Sequence, residues 1–235
     1  MTQKSLHSQR LILASASPRR RELLRYLTPK FEAIATQGEE RDLFMPPDQA
    51  ALLPLFPLAL ATHPTLLAWR KAMAALEEGA NGIVLGSDTI VVIDGDVLNK
   101  PRDPAEARSM LRRLAGRIHR VYTGVLALDS TDPQRMELAL DSSDVHMAAL
   151  TDGEIAEYVA TGEPLDKAGA YGIQGLGGRL VQQVDGSYTC VVGLPLVTTH
   201  RILTAMGLSE LADPVVAFDR WLADHGRRPP ACTAP

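Results

Sequence analysis

The sequence predicts an α/β fold with mixed strand directions, because it combines crossover helices with hairpins. Short apolar runs alternate with capped amphipathic segments, the pattern of strands joined by crossover helices. Asp-Gly pairs at 94–95 and 185–186 lie between strand-like runs and signal hairpins, hence antiparallel neighbours. With 46% hydrophobic and 22% charged residues over 235 positions, the chain carries enough apolar material for a full core.

Residues 11–14 read as a short buried strand. Ser17 and Pro18 then supply an N-cap and a first-turn proline, and Leu23, Leu24 and Leu27 give the following helix an apolar stripe. Residues 31–35 form a second strand running into the acidic pair Glu39-Glu40. Residues 42–64 are Leu- and Pro-rich without a clean period, which predicts an irregular, partly helical excursion. A helix over 65–78 ends at Gly79. Residues 83–85 and 90–93 read as two buried strands separated by Gly86-Ser87-Asp88-Thr89, the second turning through Asp94-Gly95 into Val97-Leu98. Asp103-Pro104-Ala105-Glu106 reads as a capping box for a helix with Ala107, Met110, Leu111 and Leu114 on one face, closed by Gly116. Residues 121–128 and 145–149 read as strands, and Thr151-Asp152-Gly153-Glu154 caps a helix ending near Ala160. A glycine-rich loop spans 169–178. Residues 180–184 and 188–192 read as a hairpin about Asp185-Gly186, a last helix begins near Leu196, and the proline-rich tail at 227–235 is expected to be disordered.

Charge and cysteine content narrow the function classes. A net charge of −4 and a pI near 5.9 argue against general binding to nucleic acid or acidic membranes, while leaving room for a small anion held by a local cationic cluster. The longest membrane-like run, residues 50–61, is broken by Pro54 and Pro57, and no signal-peptide core is present near the start. Two distant cysteines, Cys190 and Cys232, support neither a disulfide framework nor a zinc-cysteine site, so a cytoplasmic location is expected. The six histidines lack i,i+3 or i,i+4 pairing, which argues against a histidine-built zinc site.

Four features bear on chemistry. Arg19, Arg20 and Arg21 occupy the first turn of a helix after Ser15-Ala16-Ser17-Pro18, where the macrodipole disfavours cations unless an anion is present. Asp88 lies between two apolar strands, a costly position unless it has a metal to hold or a proton to take; a turn aspartate bonded to its own backbone is the alternative. Lys71 falls on the apolar helix face of Ala68, Ala72 and Ala75, and Lys100 closes the hairpin strand before Pro101. Finally, five of the ten residues from 169 to 178 are glycine, the composition of a loop that approaches a ligand closely or of a flexible connector, and Gln174 within it offers an amide to a nucleobase edge.

Taken together, Ser15-Ala16-Ser17-Pro18-Arg19-Arg20, Glu39-Glu40, the run from Gly86 to Val91, Lys100-Pro101-Arg102-Asp103, Tyr122-Thr123-Gly124, the run from Asp166 to Gly178, Gly186-Ser187-Tyr188 and Val192-Gly193-Leu194-Pro195 resemble the Maf family of nucleoside triphosphate pyrophosphatases. The resemblance covers residues 11–203 and implies a mixed, elongated sheet with flanking helices in a single two-lobed domain over 1–226, related in fold to the inosine triphosphate pyrophosphatases, with a nucleotide in the cleft between the lobes. Residues 42–64 look longer and more hydrophobic than the family's usual connection. The implied reaction is hydrolysis of a nucleoside triphosphate to monophosphate and pyrophosphate. Carried over residue by residue, the resemblance makes Asp88 the proton acceptor and Arg19, Thr89 and Gln174 determinants of base specificity. Ser15, Arg20, Lys71 and Lys100 match phosphate-facing positions, and Glu40 with Asp88 the carboxylates for a divalent metal, Mg2+ or Mn2+. The run from Asp166 to Tyr171 resembles the branch acting on dTTP and UTP. A 7-methyl-GTP pyrophosphatase and a nucleotide-binding regulator of septum formation are the alternatives, and a homodimer stays open.

Overall fold

A computed structural model describes residues 10–36, 43–225 and 231–234. Its centre is one mixed sheet. Strand β1 (Leu11–Ala14) lies between β2 (Glu32–Ile34) and β3 (Ile83–Ile93), parallel to both. Antiparallel pairing then runs from β3 to β5 (Ile118–Asp129), β6 (Asp132–Met147) and β7 (Val181–Ser187), while β4 (Asp96–Leu98) turns back onto the end of β3. The spatial order is β2-β1-β3-β5-β6-β7-β8, the last strand, β8 (Ala231–Ala234), lying parallel to β7. The mixed sheet read from the sequence is therefore present.

Alternation along the strands divides the apolar residues between two faces. Leu11 and Leu13 of β1 join the cluster that packs under helices α1 (Pro18–Leu27), α4 (Pro104–Leu114), α5 (Asp152–Ala160), α7 (Leu196–Ala205) and α8 (Pro214–His225). Ile12 and Ala14 point the other way, to Leu66, Ala68, Trp69, Ala72 and Ala75 of α3 (Pro64–Glu77). Each buried leucine-sized side chain contributes roughly 1.5–3 kcal/mol, so these two layers dominate the fold's stability. Among the described residues no helix is long and apolar enough to cross a membrane.

Of the excursion expected at 42–64, residues 43–63 are described and irregular, with one helical turn, α2 (Pro47–Ala50), and a 3-10 turn at Leu60–Thr62, while Pro64 already begins α3. It seats Phe56 and Leu58 on Ile90, Val92 and Tyr122, with the Phe56 and Tyr122 rings edge to face at 5.3 Å. His63 then caps α3, its Nδ1 accepting the Thr65 N–H at 3.1 Å while Nε2–H donates to the Pro54 carbonyl at 2.9 Å. That pair of bonds requires the neutral ring, and burial lowers the His63 pKa in the same sense.

Several expectations need correction. Gly86-Ser87-Asp88-Thr89 does not interrupt a strand: β3 runs unbroken because β5 supplies partners through it, Asp88 facing Gly124 and Thr89 facing Thr123. The strand expected at 145–149 is the end of a β6 that starts at Asp132 and whose polar residues obscure its alternation. Tyr188–Val192 is not a hairpin strand but a short helix, α6, because the Ser187 hydroxyl accepts the Cys190 N–H at 3.0 Å and Gly193 ends it at φ 114°. Asp103 caps α4 as expected, yet Glu106 turns its carboxylate to Arg102 and does not close the box. The tail is ordered at 231–234, where β8 covers the outer edge of β7; the rest of that expectation, at 227–230 and 235, lies outside the described residues.

Candidate active site

The register of β3 explains why a cleft opens where it does. On the edge away from β5, β1 pairs only with residues up to Gly86 and β4 only from Val91 onward. Among the described strands, residues 87–90 therefore have an open edge, and neighbouring residues on opposite faces of β3 reach the same space. A cleft of about 660 Å3 lies there, within the usual range for small-molecule sites. Its walls are the turn from β1 into α1, the middle of β3, the end of β4 and the loop after α5.

On the α3 face, the Lys71 ammonium donates to Asp88 Oδ1 at 2.6 Å. Both side chains are largely enclosed, 7% and 13% exposed. Glycine makes this approach possible: a Cβ on Gly86 would overlap the Ala68 carbonyl, and one on Gly124 would overlap the backbone of Pro64 and Thr65. The helix therefore rests directly on the sheet beside Asp88. Gly124→Ala is expected to cost about 1–3 kcal/mol of stability and to pull Lys71 away from Asp88. An unchanged unfolding midpoint would show that α3 does not rest on this glycine.

On the opposite face, Thr89 meets α1. Arg20 donates from Nη2 to Thr89 Oγ1 at 3.0 Å and from Nε to the Gly193 carbonyl at 2.8 Å. Thr123 Oγ1 donates to the Cys190 carbonyl, so the Thr89 hydroxyl gives its proton to Thr123 at 2.9 Å and accepts from Arg20. Ser87 donates to the Gly193 carbonyl as well, at 2.9 Å. Arg20 is thus a fixed cation at the root of the cleft. Arg21 is not: it turns back to the Ser15 carbonyl, at 3.4 Å, and does not line the cleft. Three first-turn arginines were expected around an anion, and two of them, Arg19 and Arg20, line the cleft.

Ser15 is buried and its hydroxyl accepts the Ser17 N–H at 3.1 Å, shaping the turn into α1. Across the cleft, Arg19 reaches Asp166 at 3.7 Å. Burial opposes the charge on Asp166, but Lys167 beside it prevails and holds the carboxyl below its usual range. Lys100, which is exposed, and Gln174 both line the cleft. Every site residue expected from the sequence lines this cleft except Glu40, which lies outside the described residues.

The glycine-rich loop is neither a slack connector nor open to a ligand at every glycine. A Cβ on Gly175 would overlap the Glu163 carboxylate, and one on Gly177 would come within 2.5 Å of the Tyr158 hydroxyl. Glu163 is a residue that sequence reasoning passed over, together with the cleft-lining Asn99; Lys167 and Tyr171, which also line the cleft, stood within the run from Asp166 to Gly178 but were given no role of their own. Thr123 and Gly193 sat inside quoted motifs, but only the fold shows that they anchor Thr89 and Arg20.

A model of the Maf-like protein family matches residues 10–206. The chain belongs to this family. Its Maf relatives include proteins named dTTP/UTP pyrophosphatase from Shigella boydii serotype 4 (strain Sb227) and Escherichia coli O157:H7. Each is 48% identical over 195 residues, 83% of this chain and 91% of theirs. Among solved structures, the Staphylococcus aureus Ham1 protein is similar at a TM-score of 0.39 and 12% identity, over 60% of this chain and 72% of that one. Helix α8 and strand β8 lie beyond the stretch matched to the Maf family.

Proposed function

We propose that the chain hydrolyses dTTP and UTP to the nucleoside monophosphate and pyrophosphate. The observation that carries this reading is the Lys71–Asp88 pair in a cleft that Arg19, Arg20 and Lys100 make cationic. The names of its 48% identical Maf relatives support the same substrates. Arg20, Lys71, Lys100 and the Ser15 turn would receive the triphosphate, since a polyanion needs fixed cations and N–H donors. Asp88 would take the proton of a water that adds to phosphorus at the α–β anhydride. With the α-phosphorus as the atom attacked, its bond to the α–β bridging oxygen breaks, the electron pair leaves with pyrophosphate, and the new P–O bond stays with the nucleoside monophosphate.

A hard divalent cation, Mg2+ or Mn2+, suits these donors. Among the described residues no group of three or more His, Cys, Asp or Glu side chains could hold a metal by itself, whereas an aspartate with triphosphate oxygens makes an all-oxygen set. Asp88, with Glu40 as the second carboxylate carried over from the Maf pattern, would hold it, and when bound it supplies charge neutralisation at the phosphates.

Gln174 and Thr89 match the pyrimidine pattern, and an amide held in one orientation pairs with the O4 and N3–H edge that thymine and uracil share. Cytosine reverses that order and leaves groups unpaired, at about 1–3 kcal/mol each. Specificity constants for dTTP, UTP, CTP, GTP and 7-methyl-GTP test the reading. dTTP and UTP are expected to lead clearly; a lead for 7-methyl-GTP would move the chain to the other Maf branch.

A further inference from the structure

We propose that Glu163, acting with Tyr158, is the positioning residue that fixes the base-reading loop and thereby sets base selectivity. This rests on the reading of Gln174 as the residue that meets the base. The Glu163 carboxylate accepts the Leu176 N–H at 2.9 Å, the Gly177 N–H at 3.1 Å and the Tyr158 hydroxyl at 2.9 Å. The Tyr158 hydroxyl in turn accepts the Gly172 N–H at 3.0 Å. One carboxylate and one phenol therefore hold the backbone on both sides of Gln174, at 172 and at 176–177.

The arrangement is specific to an ionised carboxylate. Burial opposes the charge on Glu163, but the two backbone N–H groups and the Tyr158 hydroxyl outweigh it and hold the pKa below the usual glutamate range. Burial raises the Tyr158 pKa, so the phenol stays protonated and always has a proton to donate. The loop has accommodated this pair. Gly175 and Gly177 leave no room for side chains there, and a Cβ on Gly172 would come within 2.5 Å of the Lys167 side chain, whose ammonium bonds the Glu163 carbonyl at 2.7 Å. On the far side, Tyr171 is tied to His119 at 2.8 Å. A loop clamped at so many points presents Gln174 in one pose, which is what discrimination between the reversed edges of uracil and cytosine needs.

Glu163→Gln tests this. Its amide offers one acceptor oxygen where the carboxylate offers two, so one loop N–H meets an N–H2 group. The readout is the ratio of kcat/KM between the best and the poorest nucleotide of the panel, beside inhibition by inorganic tripolyphosphate, which has phosphates but no base. The ratio is expected to fall about tenfold, mainly through KM of the preferred nucleotide, while tripolyphosphate inhibition stays at the parent level. Tyr158→Phe, a smaller change that removes only the hydroxyl, is expected to lower the same ratio by about threefold and covers the case in which Glu163→Gln does not fold. An unchanged ratio in a folded variant, with or without a lower unfolding midpoint, would overturn the proposal and leave Glu163 structural. Because the ratio is taken from whichever nucleotide the parent prefers, a parent that prefers a base other than thymine or uracil would refute the substrate assignment alone.

Discussion

Asp88→Asn is expected to lower pyrophosphate release by about 10²–10⁴-fold, the span that a positioned general base contributes. The amide is isosteric and its oxygen still accepts from Lys71, so the 2.6 Å contact and the shape of the cleft survive. What is lost is the ability to take a proton and the charge that would face a cation. Nucleotide binding, read by equilibrium titration, should stay within a few-fold of the parent because Arg20, Lys100 and the Ser15 turn are untouched. Turnover near the parent's at saturating metal would remove Asp88 from the mechanism.

Lys71→Met acts on the other half of the pair and should be the more damaging change to the fold. It leaves the Asp88 carboxylate, 13% exposed, without the ammonium that now meets it. Breaking an enclosed ion pair from one side costs about 3–5 kcal/mol, and water in the cleft places this case near the lower figure. A loss of that size is a large part of an ordinary stability of about 5–15 kcal/mol. Replacing both partners, Lys71→Met with Asp88→Leu, should recover most of the stability and none of the activity, because the uncompensated charge is gone but so is the proton acceptor. Denaturant unfolding of the two variants checks this; a single variant as stable as the double one would mean that the pair does not couple α3 to β3.

What the sequence revealed and what it hid follow from the range of the interactions. The turn from β1 into α1, the Asp94-Gly95 hairpin and the Thr151 capping box are written in contiguous residues, and each stands as read. The interrupted β3 was misread because its continuity depends on β5, more than thirty positions away, whose Gly124 and Thr123 face Asp88 and Thr89. Helix α6 was misread because Tyr188, Thr189, Val191 and Val192 favour strands, and one serine cap with a terminal glycine overrides them in five residues. Helix α8 was missed although its signal was present: Asp213 accepts the Val215 and Val216 N–H groups ahead of a buried Ala217, Phe218 and Trp221. In the site, residue types were legible and pairings were not. Lys71 stood out as a cation on an apolar helix face, but nothing local says that it meets Asp88. Glu163 gave no signal at all, since its partners are backbone N–H groups of a loop whose glycines had a simpler explanation.

The most direct test of the account is a product analysis of dTTP hydrolysis with Mg2+ present, resolving monophosphate, diphosphate, pyrophosphate and orthophosphate. The account predicts dTMP and pyrophosphate in equal amounts from the start of the reaction, and their loss in Asp88→Asn. dTDP with orthophosphate would place cleavage at the wrong anhydride, and tight binding of dTTP without turnover would make the chain a nucleotide-binding protein; either result would contradict it.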